Sequence, residues 1–140
     1  MSVQFILAPL FVQVALTFVL LFWMAGTRFG SVRRGETRVK DIALGQPNWP
    51  AGVQQISNAY HNQFQLPVLF YLVVLLAYLL HKADLLFVLL AWVFVVLRIL
   101  HAAVHTNSNR IGRRFQVFAA GALVLLVMWV VFAVRVMLAL

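Results

Sequence analysis

Polar and apolar positions fall into four long apolar blocks separated by short polar stretches. Met1 to Thr27 contains no charged side chain, and its stretch from about residue 5 to 24 rises about 30 Å as a helix, the thickness of a bilayer core. Arg28 to Gln55 forms a polar first loop, closed by Gly45-Gln46-Pro47-Asn48-Trp49-Pro50, a segment that cannot continue a helix. A second apolar block covers about 56 to 80. Pro67 should kink it, since proline offers no N–H to the Gln63 carbonyl. His81-Lys82-Ala83-Asp84 makes a tight hairpin, with Asp84 placed to cap a third block, about 85 to 105. Thr106 to Arg114 is a second basic loop. Phe115 to Val134 then gives 20 uncharged residues for a fourth block that ends near 138, where Arg135 can snorkel to the interface. The prediction is one all-α domain: an integral membrane four-helix bundle.

Composition agrees with this pattern. Hydrophobic residues make up 64% of the chain and charged residues only 10%, more apolar surface than a soluble domain can bury. The net charge of +8 would fit a nucleic-acid binder, but the basic residues cluster between apolar blocks instead of along one face, so no nucleic-acid partner is expected. No cysteine is present, which excludes disulfides, thiolate metal sites and a cysteine nucleophile. Met1 to Thr27 lacks the basic start and short apolar core of a signal peptide and is expected to remain as structure. The two longer loops carry eight basic residues (Arg28, Arg33, Arg34, Arg38, Lys40, Arg110, Arg113 and Arg114) against Lys82 alone in the hairpin. By the positive-inside rule both longer loops face the cytoplasm and both termini lie on the other side.

Three blocks bring polar residues to the same leaflet. Asn58, His61, Asn62 and Gln65 recur at i, i+3, i+4, i+7, one helical face of the second block. Arg98, His101 and His105 share a face of the third, with Arg98 about 10 Å inside its end. Arg110 and Arg114 share a face of the fourth that continues through Phe118 and Gly121. A charge at that depth costs about 2.5 to 3.5 kcal/mol on insertion scales, and the chain's three acids, Glu36, Asp41 and Asp84, lie outside the blocks. Arg98 must therefore be met by amide oxygens such as those of Asn62 and Gln65, by backbone carbonyls, or by an anionic ligand. The plainer reading of Asn, Gln and His here is interhelical hydrogen bonding. Arg113 and Arg114 would also serve as topology determinants. His101 and His105 have the i, i+4 spacing of a metal pair, but no carboxylate or thiolate stands near, and no metal is expected. The tyrosines and tryptophans fit packing and interface anchoring. Polar residues confined to one leaflet argue against a transport path.

Two segments carry a family resemblance. Asn58-Ala-Tyr-His-Asn62-Gln-Phe-Gln65-Leu-Pro67 resembles the second-helix signature of the MAPEG proteins (membrane-associated proteins in eicosanoid and glutathione metabolism), which typically reads Arg-x-x-x-Asn-x-x-Glu before a proline. Arg98-Ile-Leu-His101-Ala-Ala-Val-His105, followed by Arg110 and Arg114, is similar to the family's Arg-x-x-His-x-x-x-Tyr and loop arginines. Asn58, Gln65 and His105 stand where the family usually has Arg, Glu and Tyr. The resemblance implies a bacterial-type member in an inner membrane, a four-helix bundle assembled as a homotrimer, and glutathione bound near the cytoplasmic surface. It implies that Asn62, Gln65, Arg98, His105 and Arg110 contact glutathione, with His101 and Arg113 beside them. Arg114 would be the catalytic arginine that activates the sulfur. The implied function is a glutathione-dependent transferase or peroxidase acting on lipophilic electrophiles. A non-catalytic relative binding a lipid or an anionic metabolite is the alternative.

Overall fold

Ser2 starts the first helix, its Oγ accepting from the Phe5 N–H at 3.2 Å. The computed structural model describes residues 1–140 and contains α1 (Val3–Arg33), α2 (Ala51–His61), α3 (Leu66–Leu79), α4 (Leu85–Thr106) and α5 (Ile111–Met137), with 3₁₀ turns at Val39–Asp41 and Asn62–Phe64. Helix α1 runs past the loop boundary expected at Arg28. Arg28 folds back, donating to Ser57 Oγ at 2.5 Å and standing 4.9 Å over the Trp49 ring, so its charge is accommodated while the backbone stays helical. The loop that follows is ordered by short-range pairs. Ser31 and Thr37 hydroxyls meet at 2.7 Å, Arg34 bonds Glu36 at 3.0 Å, and Arg38 bonds Asp41 at 2.9 Å. The Arg34 guanidinium holds the Glu36 carboxyl below the usual carboxylate range. Gly35 takes a left-handed φ of 76°, where a side chain would be strained.

The second crossing starts earlier than residue 56, at Ala51, directly after Pro50. It is broken where a kink was expected. Gln65 has φ −96° and ψ −106°, and α3 restarts with Pro67 in its first turn. The break is held from inside: Gln63 Nε2 donates to the Ala59 carbonyl at 3.0 Å, and Gln63 Oε1 accepts from Gln13 Nε2 at 2.9 Å. Gln13 and Gln63 are both fully buried. Proline thus removes a backbone donor, and a buried amide pair turns a bend into a break.

Asp84 caps α4, its Oδ1 accepting from Phe87 N at 3.0 Å. At this end of the bundle Arg135 bonds Asp84 at 2.7 Å and the Lys82 carbonyl at 3.1 Å, while Lys82 Nζ reaches the Leu140 carbonyl at 2.6 Å. Arg135 holds the Asp84 carboxyl below its ordinary range. The apolar core lies in this half of the bundle, where Phe70 and Phe94 stack at 4.6 Å among Val73, Val74, Phe87, Val95, Leu125 and Met128. Gly121 is buried against α4, where an added Cβ would lie 3.9 Å from Leu97 Cβ.

The four crossings Val3–Arg33, Ala51–Leu79, Leu85–Thr106 and Ile111–Met137 are each long and apolar enough to span a membrane. The shortest, 22 residues, rises about 33 Å. Outward-facing Phe11, Phe18 and Phe22 on α1 and Leu123, Leu126 and Val130 on α5 are exposed, as lipid requires and water forbids. The chain is an integral membrane protein.

Candidate functional site

Where the α2–α3 break faces α4 and α5, the bundle opens into a cleft of about 530 Å³, within the size range of small-molecule sites. Asn58, His61, Asn62 and Gln65 form one wall, His101 and His105 of α4 a second, and Ile111, Arg114, Phe115 and Phe118 of α5 a third. The 3₁₀ turn matters here. It lies within the polar segment, yet Asn58, His61, Asn62 and Gln65 still converge, because the turn tightens the backbone by only one short segment.

Arg98 lies beneath this cleft, only 1% exposed. Its Nη2 donates to Asn62 Oδ1 and, at 3.4 Å, to the Asn62 backbone carbonyl. Asn62 Nδ2 donates in turn to Gln65 Oε1 at 2.8 Å, giving a chain of polarised groups from Arg98 to the cleft wall. The Nε and Nη1 donors of Arg98 have no hydrogen-bond partner, and neither do His101 Nδ1 and His105 Nδ1. Unpaired donors on a buried cation are costly, so helix gluing alone does not account for Arg98.

Arg114 sits in the first turns of α5, held at Nη1 by Asn109 Oδ1 at 2.7 Å. Asn109 adopts φ 49°, the left-handed conformation that asparagine tolerates best among residues with a side chain. The α5 N-terminus adds partial positive charge to the same side of the cleft. His101 packs edge-on to His105 at 5.5 Å and against Phe118 at 5.7 Å, fixing both imidazoles in the wall. No third His, Cys, Asp or Glu joins the two histidines in a group able to hold a metal.

The structure thus brings Asn62, Gln65, His101, His105 and Arg114 together in one cleft with Arg98 under its floor. Arg110 and Arg113 are exposed and lie outside the lining, Arg110 one residue before Ile111 and Arg113 one before Arg114. The sequence did not disclose the Gln13–Gln63 pair that braces the break or the part of the apolar wall made by Ile111 and Phe115. Gln13 carried a signal, being an amide deep inside an otherwise apolar block; Gln63 carried none, since it lies off the face shared by its polar neighbours.

No curated protein and no solved structure matches the chain. The family model described as MAPEG family matches residues 6–134. That match takes in the whole cleft and almost all of the four membrane crossings, and the chain belongs to the MAPEG family.

Proposed function

We propose that the protein is a glutathione-dependent transferase or peroxidase working on lipophilic electrophiles that reach the cleft from the bilayer. One observation carries the reading: a buried guanidinium, Arg98, has a single side-chain partner, Asn62, and two free donors beneath a cleft that also holds Arg114. Such a site stabilises carboxylates and a thiolate. Arg98 takes a carboxylate, and Arg110 at the rim draws the anion in. Arg114 lies beside the sulfur, where its charge favours thiolate over thiol. The thiolate attacks the electrophilic carbon, the C–S bond forms, the leaving group departs with its electron pair, and the thiol proton passes to solvent.

The test is conjugation of a generic electrophile in detergent. Arg114→Ala should lower kcat, because sulfur charge changes along the reaction path, whereas Arg98→Ala should chiefly raise KM, because its carboxylate is bound alike in ground and transition states. Each effect should exceed about tenfold. Absence of both glutathione binding and conjugation in the wild type would refute the proposal. Binding of a lipid or an anionic metabolite in the same cleft would then establish the non-catalytic reading, which is favoured by the lack of any carboxylate among the lining residues.

The basic loops are proposed to face the cytoplasm, with both termini opposite. A cysteine at Leu44, 89% exposed in the first loop, should react with impermeant reagent only from the cytoplasmic face. Labelling from outside intact cells would reverse this orientation. A homotrimer is proposed as well, resting on the resemblance and on the exposed apolar flanks of α1 and α5. Mass measurement in mild detergent would show three chains, and a clean monomer would count against it.

A further inference from the structure

The charge inventory of the cleft leads one step further, resting on the reading of it as a site for a peptide thiol. The chain has three acidic side chains, and each is engaged elsewhere. Glu36 and Asp41 are paired with Arg34 and Arg38 in the exposed loop, and Asp84 is paired with Arg135 at the opposite end of the bundle. A neighbouring copy would bring only the same three acids, each already carrying its own arginine.

The three amide oxygens on the α2 wall are engaged as well. Asn58 Oδ1 accepts from Gln54 Nε2 at 2.7 Å, Asn62 Oδ1 accepts from Arg98, and Gln65 Oε1 accepts from Asn62 Nδ2 at 2.8 Å. These bonds fix which way the amides of Asn62 and Gln65 point. Their oxygens face one another's donors and ultimately a cation, which leaves the Gln65 amide nitrogen among the groups free to meet a ligand. The cleft therefore offers positive charge and donors: the Arg114 guanidinium and the α5 N-terminus in its lining, with the buried Arg98 cation beneath its floor. An ammonium entering it would lose water and find no anion.

We infer that the cleft selects its thiol through carboxylates alone, and that it accepts peptide thiols lacking a free amino group at least as tightly as it accepts glutathione. Removing the ammonium keeps both carboxylates, which the arginines attract, and deletes the one group that they repel. The class of co-substrate is thus an anionic cysteinyl peptide without a required amino terminus.

The experiment is equilibrium binding to the wild-type protein in detergent, with glutathione compared against glutaryl-cysteinyl-glycine, the same molecule with hydrogen in place of the α-amino group. The des-amino thiol is expected to bind equally well or up to about tenfold tighter at low ionic strength, the scale of one charged interaction. Gln65→Glu, which puts a carboxylate in the wall, should reverse the order. Wild-type binding of the des-amino thiol measurably weaker than that of glutathione would overturn the inference while leaving the glutathione site intact. If neither thiol binds, both the inference and the reading it rests on fall.

Discussion

Arg98 and Arg135 are both arginines within apolar helices, and the molecule treats them in opposite ways. Arg135 meets a carboxylate, Asp84, at 2.7 Å and a carbonyl at 3.1 Å, joining α5 to the start of α4. Arg98 is more deeply buried, yet it meets only Asn62, and two of its donors are unpaired. At one end of the bundle charge is neutralised and serves architecture. At the other it is left in excess beneath a cleft, an arrangement that costs stability and that the proposed anion binding would offset.

The largest expected effect comes from removing that excess. Arg98→Met should weaken glutathione binding by roughly 10- to 150-fold, equivalent to one charged hydrogen bond of about 1.5 to 3 kcal/mol. Its thermal midpoint should be unchanged or higher, because an apolar side chain relieves the burial of an underpaired charge. Titration with glutathione and a melting curve on the same sample check both halves. A large loss of stability would make Arg98 structural, like Arg135.

Asp84→Ala should do the reverse. It removes the α4 cap and the partly exposed pair with Arg135, costing about 1 to 2 kcal/mol of stability, with glutathione binding unaltered. Gln13→Leu should be milder, about 1 kcal/mol, the scale of a hydrogen bond between membrane helices. It should also loosen the α2–α3 break, so hydrogen exchange at Asn62 to Gln65 would rise.

The smallest effect is on pH dependence. Arg135 lowers the Asp84 pKa below 3.8, so the stabilisation from ionised Asp84 is complete above that value and disappears as pH falls through the folded-state value. Asp84→Asn keeps a capping oxygen and removes the titration. The stability advantage of wild type over Asp84→Asn should therefore shrink as pH drops from about 6 towards 3. A constant difference would show that the pair contributes nothing through charge.

The four apolar blocks, the Asp84 cap and the convergence of Asn62, Gln65, His101, His105 and Arg114 were legible in the sequence because each follows from a local period or a cap. The helix ends were not. Arg28 lies inside α1 because Ser57 and Trp49, more than twenty residues away, receive its side chain. The break at Gln65 depends on the Gln13–Gln63 bond between residues 50 positions apart, and no local rule near Pro67 reveals it. Gly121 was legible as small but not as to which helix it would face. Local periodicity gives faces, whereas long-range side-chain pairs decide where each helix stops.

Arg114 is proposed to meet a sulfur in a cleft without counter-anions, and thiolate absorbance on adding glutathione reads this directly. The protein has no cysteine of its own, so any new thiolate belongs to the ligand. Wild type should show a thiolate signal at neutral pH, below the roughly 8.5 of an ordinary cysteine thiol, and Arg114→Ala should bind glutathione without that signal while Arg113→Ala retains it. Wild type that binds glutathione only as the neutral thiol, or an Arg114→Ala variant with an undiminished signal, would contradict it.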